Sequence, residues 1–192
     1  MNHWMKSIGL AGALLAPAIS QAAWELAPAS SLNYVSVKNN AIAENNSISG
    51  LSGGLSDAGE LSVSIDLTSV ETGVSIRNER MQKMFFEVSK FATAEVSAQL
   101  DAEALKALNA GEPVVQSIPL TLSLHGVEKT LAADVLAVPA AGSVHVTSTR
   151  PVLISAADFG LEAGVGALRE IAGLDAIAGA VPVTIHLVLD PS

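Results

Sequence analysis

The sequence predicts an all-β protein, mainly an antiparallel closed barrel of about eight strands with one or two short helices. Apolar and polar residues alternate in several segments, and turn residues separate consecutive segments. Side chains of a strand point alternately to its two faces, so this alternation indicates strands with one apolar face. Short strands joined by tight turns form an antiparallel sheet, closed or nearly closed.

The first 22 residues have the pattern of a secretory signal peptide. Lys6 precedes an apolar run at residues 8–19, and Ser20-Gln21-Ala22 then supplies small side chains for cleavage. This run is too short to span a bilayer comfortably. We therefore expect a signal peptide at 1–22, one domain at 23–192 and a periplasmic location. An uncleaved anchor or a buried first helix is the alternative. The sequence has no second long apolar run, so we expect no membrane segment after cleavage.

The composition excludes several functions. The chain has no cysteine and a formal net charge of −9. Thiol chemistry and thiolate metal sites are therefore excluded, and an exported chain without disulfides must rely on its apolar core. So acidic a protein lacks the basic face that nucleic acids and anionic lipid surfaces require.

The predicted strands follow one another along the chain. The strongest alternation is at residues 59–67, 118–124 and 181–189, and weaker versions occur at 32–37, 94–100, 131–138 and 144–150. Pro119 cannot donate a ladder hydrogen bond, which places it at an edge or a bulge.

The connections are predicted from turn chemistry. His125-Gly126 reads as a tight hairpin turn, and Ala140-Ala141-Gly142-Ser143 separates the next pair of strands. Residues 52–54 with 57–59 are expected to bracket an earlier connection. Asp101 and the helix formers after it predict a helix at 101–108, which Gly111 and Pro113 terminate. Residues 162–177 predict a short helix or a folded loop.

Catalytic and metal-binding patterns are not found in the sequence. The histidines after the leader (His125, His145 and His186) lack metal-ligand spacing, and there is no nucleophile motif. We therefore predict no metal, no cofactor and no enzymatic activity. A lipid hydrolase or isomerase would require His145 or His186 to converge with Asp66 or Asp134 in one pocket.

Residues 66–91 concentrate aromatic and basic side chains. Three of the four phenylalanines are Phe85, Phe86 and Phe91, and the basic residues of this stretch are Arg77, Arg80, Lys83 and Lys90. One interpretation is a loop or helical turn whose aromatics plug one end of the barrel. The other is a mouth where aromatics line a cavity and a basic group meets a polar head.

Several motifs in this order resemble the YceI-like family of exported polyisoprenoid-binding proteins. A strand ends in Ser69-x-x-Thr72, followed by Arg77 and by Phe85-Phe86. An apolar strand then leads into His125-Gly126-Val127 and Lys129, and Asp158-Phe159-Gly160 precedes a final strand. Trp24 opens the mature chain, as an aromatic does in the family. The sequence departs from the family at polar positions: Asn78 replaces an Asp, Arg80 a His and Ala156-Ala157 an Arg-Ser, and Lys38-Asn39-Asn40 stands where a His is frequent.

The resemblance implies a lipocalin-like barrel whose apolar cavity holds an isoprenoid chain, such as that of a quinone. The leading hypothesis is therefore a non-catalytic binder or carrier of such a hydrophobic ligand. A structural or interaction module with a solid-packed barrel is the alternative, and a homodimer is compatible with the sequence. The predicted ligand-binding residues are Arg77, Arg80, Phe85, Phe86, Phe91, Val63, Ile65, Leu122 and Phe159.

Overall fold

The computed structural model describes residues 22–192, so the predicted signal peptide lies, apart from Ala22, outside the described residues. Strands dominate this part of the chain. They are β1 (Ala22–Leu26), β2 (Ser31–Lys38), β3 (Ile42–Ile48), β4 (Leu51–Ser56), β5 (Glu60–Asp66), β6 (Val70–Glu71), β7 (Thr93–Gln99), β8 (Val114–Leu124), β9 (Val127–Ala140), β10 (Ser143–Ser148), β11 (Val152–Ser155) and β12 (Ala180–Pro191).

Three short α-helices lie in the connections, where one or two were predicted. They are α1 (Ser75–Arg80), which continues as a π-helical segment (Met81–Phe85), α2 (Ala102–Asn109) and α3 (Glu162–Ile171). The Asp101 carboxylate accepts a hydrogen bond from the Ala104 N–H at 2.7 Å, so α2 begins at the predicted cap. Residues 162–177, predicted as a short helix or a folded loop, form a helix only as far as Ile171. None of the helices within residues 22–192 has the length and hydropathy needed to cross a bilayer.

The strands close into an antiparallel barrel of eight strands, as predicted. The ring runs β1-β4-β5-β7-β8-β9-β10-β12, and β12 closes it by pairing with β1. The remaining strands continue ring strands beyond short interruptions. β12, for example, pairs with β10 and then β11 along one edge, and with β1 and then β2 along the other.

Serine side chains form hydrogen bonds at these interruptions. Between β1 and β2, the buried Ser30 hydroxyl donates to the Val188 carbonyl at 3.2 Å and accepts from the Val188 N–H at 3.0 Å. Between β5 and β6, the Ser69 hydroxyl donates to the Asp66 carbonyl at 2.6 Å and accepts from the Gly50 N–H at 2.8 Å. At these two interruptions, serine side chains therefore supply the hydrogen bonds that the backbone ladder lacks.

One predicted connection is wrong. Residues 52–54 lie inside β4 and do not form a turn, whereas the connection to β5 is at 57–59 as predicted. Gly53 has a φ of +123°, and a Cβ there would lie 2.1 Å from the Ser62 carbonyl oxygen. The glycine therefore serves a close approach of two strands, which a sequence pattern does not distinguish from a turn.

The two hairpin turns are as predicted. His125 and Gly126 both have positive φ, as do Ala141 and Gly142, which matches the tight turns that join twisted antiparallel strands. Pro119 lies just beyond Leu120, where the pairing of β8 with β7 ends, so it occupies an edge position.

The barrel has two distinct ends. We call one end the base: it carries α2 and the turns at 57–59 and 141–142, and Ser192 donates a backbone hydrogen bond to Ala23 there. We call the other end the top: it carries α1, α3 and the turns at 39–41 and 125–126. At the base, Trp24 and the α2 residue Leu108 pack in one apolar cluster that closes the barrel. The top is the end where polar groups enter the interior.

Candidate ligand-binding cavity

The barrel is hollow along its axis. A lower chamber of about 130 Å³ lies toward the base and an upper chamber of about 240 Å³ toward the top. Both chambers are lined by one shared ring of side chains, which we call the waist: Leu32, Ile65, Val96, Leu120, Val152 and Ile185. The two chambers therefore meet at the waist, and we call them together the tunnel.

The alternation in the sequence produces this lining. Leu61, Val63 and Ile65 of β5 face the tunnel, while the residues between them face outward. The same parity holds in β8 and β12, the other two strands with strong alternation. Among residues 22–192, the lower chamber is lined by apolar residues and one polar residue, Gln116.

Polar residues line the upper chamber on one side. Tyr34 and Ser36 come from β2 and Asn46 from the neighbouring β3, while Thr72 and Arg77 come from the connection that contains α1. We call these five residues the polar strip. Opposite it, the chamber wall is formed by apolar and aromatic side chains, so the tunnel is amphipathic only at its top.

Arg77 is the charged member of the polar strip. Its Nη1 donates to Glu44 Oε2 at 2.7 Å, and its Nη2 donates to the Thr72 carbonyl at 2.5 Å. Glu44 also pairs with Lys38 at 3.0 Å, and the hydrogen bond from Lys38 together with the Arg77 charge lowers the pKa of Glu44. In the described chain, Arg77 Nε is buried and has no hydrogen-bond partner.

Tyr34 supplies a second donor. Its hydroxyl is also buried and without a hydrogen-bond partner among residues 22–192. Burial raises the pKa of Tyr34 to about 12, although the positive charge of Arg77 opposes this shift. The hydroxyl therefore stays protonated at neutral pH. A buried donor without an acceptor costs about 1–3 kcal/mol, and Tyr34 and Arg77, which both line the upper chamber, each carry one such donor.

Asn78 positions the loop that carries Thr72. Its side-chain oxygen accepts from the Thr72 N–H at 2.9 Å and from the Thr72 hydroxyl at 2.6 Å. An amide can accept both hydrogen bonds without adding a negative charge beside Arg77. Within the residues described, this leaves Glu44 as the carboxylate that pairs with Arg77.

Six of the nine residues predicted to bind ligand line the tunnel. Val63 faces the lower chamber and Ile65 belongs to the waist; the upper chamber is lined by Arg77, Phe85, Phe86 and Leu122. Residues 66–91 were interpreted either as a plug of one barrel end or as a mouth lined by aromatics. Phe85 and Phe86 fit both interpretations, because they lie at the top of the barrel and line the upper chamber.

The structure places Arg80, Phe91 and Phe159 outside the lining of either chamber. Phe91 follows Glu87, whose positive φ turns the chain, and its ring lies 4.3 Å from the His125 ring. Phe159 is 1 % exposed and packs in the core. Arg80 is the last residue of α1 and lines neither chamber.

Tyr34, Ser36 and Asn46 line the upper chamber but were not among the residues predicted to bind ligand. Tyr34 is the only tyrosine of the chain and shares the inward parity of Leu32 in a predicted strand, which was an available signal. Asn46 lies in β3, which was not predicted because two consecutive asparagines are poor strand formers.

The upper chamber adjoins a groove on the surface beside α3. An outer groove of about 370 Å³ shares Ala156, Val165, Ile177 and Gly179 with the chamber lining. Of these, Val165 belongs to α3, whereas Ile177 and Gly179 belong to the segment between α3 and β12. Gly164 lets α3 pack closely on the π-helical segment, because a Cβ there would lie 3.0 Å from the Met84 oxygen and from Phe85 Cα.

Groups that would support catalysis do not converge. The rings of His145 and His186 lie 5.9 Å apart, on residues whose neighbours Val144, Val146, Ile185 and Leu187 line the tunnel, so both histidines face outward. Asp66 bonds Thr68 and Asp134 pairs with Arg150, and neither lines a chamber. Residues 22–192 contain no cluster of three or more metal-ligating side chains.

Comparisons with known proteins agree with this architecture. Residues 24–189 match the model of the YceI-like domain. A polyisoprenoid-binding domain from Saccharophagus degradans, implicated in plant cell wall breakdown, is 38 % identical with a TM-score of 0.84, over 90 % of this chain and 100 % of that one. Burkholderia cenocepacia BcnA is 17 % identical, with a TM-score of 0.65 over 85 % and 98 %. The Campylobacter jejuni YCEI protein is 13 % identical, with a TM-score of 0.52 over 98 % and 97 %. No curated protein sequence matches the chain.

Proposed function

The chain belongs to the YceI-like domain family, and we propose that it binds and carries a polyisoprenoid lipid, such as an isoprenoid quinone, in the tunnel of its barrel. The Saccharophagus domain, described as polyisoprenoid-binding, supports this proposal at 38 % identity. The observation that carries it is the form of the tunnel: an apolar channel whose upper chamber is lined by Tyr34 and Arg77, each with a buried donor that has no partner among residues 22–192.

The apolar channel suits the isoprenoid tail. Burying a hydrocarbon chain is favourable by roughly 25 cal/mol per Å² of apolar surface removed from water. The upper chamber, at about 240 Å³, exceeds the roughly 150 Å³ of an engineered apolar cavity that holds benzene. The tail would pass the waist and extend into the lower chamber, where Gln116 is the one polar lining residue found in the described chain.

The polar strip favours a neutral head group that accepts hydrogen bonds. A carbonyl oxygen can accept from both Tyr34 and Arg77 without bringing a charge into the chamber. A diphosphate would bring negative charge near Glu44, which already compensates Arg77 at 2.7 Å. We therefore propose a quinone-like head in preference to an anionic one.

The hollow interior favours a binding protein over the solid-packed alternative. We propose further that the protein acts without catalysis, as a carrier exported to the periplasm after removal of residues 1–22. This proposal is supported by the signal-like leader and by the outward positions of His145 and His186.

Tail length provides a sharp test of the tunnel. Val96→Phe places a large ring at the waist and should obstruct the passage between the chambers. We expect wild-type protein to bind a quinone with eight isoprene units more tightly than one with two, and Val96→Phe to lose this preference. The measurement is equilibrium binding by quenching of the intrinsic tryptophan fluorescence, with thermal unfolding as the check on folding.

Val115→Phe is the matched control because Val115 is a strand residue that is 76 % exposed on the outer wall. This variant should keep the wild-type preference for the longer tail. Equal binding of both quinones by wild-type protein would contradict the proposal, as would mass spectrometry that finds no isoprenoid in natively purified protein that also binds none when it is added.

A further inference from the structure

Exposed hydrophobic side chains are concentrated at the top of the barrel. Seven large hydrophobic residues are exposed in the described chain, and four of them lie at the top: Ile42 (49 % exposed), Val74 (45 %), Ile76 (52 %) and Ile171 (47 %). We call these four residues the apolar rim. The other three, Val115, Val138 and Leu153, lie on strands of the barrel wall.

Polar contacts bring the segments of the apolar rim together. Ile42 lies in the β2–β3 hairpin, Val74 and Ile76 at the start of α1, and Ile171 at the end of α3. The bond between Arg77 and Glu44 joins α1 to the hairpin. On the other side, the Asn39 side-chain oxygen accepts from the Asp175 N–H at 2.9 Å, which joins the hairpin to the segment after α3. This same segment lines both the outer groove and the upper chamber.

The charge distribution separates the top from the rest of the protein. The rim segments 38–44, 71–83 and 169–175 carry five basic residues (Lys38, Arg77, Arg80, Lys83 and Arg169) and five acidic ones (Glu44, Glu71, Glu79, Glu170 and Asp175). The remaining described residues carry four basic and fourteen acidic residues. The apolar rim thus lies in a region of balanced charge on a strongly acidic protein.

We propose that the apolar rim docks on the surface of a lipid bilayer with electrically neutral head groups. Exposed isoleucine and valine side chains gain free energy by insertion at a bilayer interface, and rim segments without net charge suit a surface that is itself without net charge. Docking brings the outer groove beside α3 to the bilayer, where a lipid tail could enter the tunnel without crossing water. This role in loading rests on the proposed function, whereas the docking itself can be measured without a ligand.

Flotation with phosphatidylcholine vesicles that contain no isoprenoid tests the docking. We expect wild-type protein to float with the vesicles and the double variant Ile42→Asp/Ile76→Asp to lose at least about tenfold in partition coefficient, since two apolar anchors become charged. The matched control, Val115→Asp/Val138→Asp, changes the same number of exposed hydrophobic residues on the wall and should float like the wild type. Circular dichroism melting checks that each variant is folded.

The outcomes separate docking from ligand binding. Equal flotation of rim and wall variants, or no flotation of wild-type protein, would overturn the docking even if quinone binding is intact. Flotation that depends on the rim, in a protein that binds no quinone, would support docking and refute the proposed function. Stronger binding on addition of phosphatidylglycerol would overturn the preference for a neutral surface. Self-association that the rim variant abolishes, without vesicle binding, would assign the rim to a second copy of the chain.

Discussion

Replacing Tyr34 by phenylalanine should stabilise the empty protein and weaken its binding of ligand. The hydroxyl of Tyr34 is buried and has no hydrogen-bond partner in the part of the chain that the structure describes. Its removal relieves a desolvation penalty of about 1–3 kcal/mol and leaves the ring, which fills the same space. In the proposed complex the head group accepts a hydrogen bond from Tyr34, and the same substitution would remove it.

The magnitudes follow from the unpaired state of this hydroxyl. We expect the free energy of unfolding of the empty protein to rise by about 1 kcal/mol, which corresponds to about 2–4 °C in Tm for a domain of this size. The variant loses a hydrogen bond to the ligand of about 1 kcal/mol. It also has no unpaired hydroxyl whose desolvation penalty ligand binding could relieve. Together these effects should weaken quinone affinity roughly fivefold to thirtyfold. Urea unfolding of delipidated protein and equilibrium titration with one quinone measure the two effects.

Thr184→Val is the control, because it also replaces a hydroxyl-bearing side chain but at an exposed strand position. It should change neither quantity by more than about 0.5 kcal/mol. If Tyr34→Phe instead destabilised the empty protein by 1 kcal/mol or more, its hydroxyl would have a partner in the empty state. If affinity were unchanged, the head group would not lie at the polar strip. Either result would refute the reasoning.

Two further predictions concern the top of the barrel. The lowered pKa of Glu44 means that its ion pairs with Lys38 and Arg77 stabilise the fold above the ordinary carboxyl pKa of about 4.3, by no more than about 1 kcal/mol because they are half-exposed. Wild-type protein should therefore be more stable than Glu44→Gln at pH 7. Chemical unfolding should show this difference in stability vanish as the pH falls through the lowered pKa of Glu44 in the folded protein. A difference that persists at pH 2 would contradict the role of these ion pairs. Gly164→Ala should destabilise by about 1–3 kcal/mol, because its Cβ would meet backbone atoms of the π-helical segment. Gly166→Ala, where a Cβ meets nothing within 4 Å, should be neutral or gain up to about 1 kcal/mol in thermal unfolding, and equal effects of the two substitutions would argue against the close packing.

Strands with a regular polar and apolar alternation were predictable from the sequence, because a barrel wall separates water from an apolar interior. Residues 59–67 follow this rule and form β5. β3 and β4 escaped prediction because their residues obey other constraints. Asn46 lines the polar part of the chamber, and Gly53 permits close contact with β5.

The site was predictable where its residues are adjacent in the sequence. Arg77, Phe85 and Phe86 were found because basic and aromatic residues cluster in one stretch of an acidic, aromatic-poor chain. Tyr34 reaches the same chamber from a distant strand, and only the closure of the barrel brings it near Arg77. The start of α1 and the turn at Glu87 decide which residues of this basic and aromatic cluster face inward. Neither feature can be predicted from the composition of the cluster.

The even number of barrel strands has a practical consequence for handling the protein. Because each strand reverses direction, the chain crosses the barrel an even number of times, and Ser192 returns to the base beside Ala23. The outer groove next to α3 is at the opposite end. A biosensor surface to which the protein is tethered through Ser192 would thus present every molecule with this groove toward the flowing sample. Fluorophores attached at the same residue would report on the protein without covering the groove.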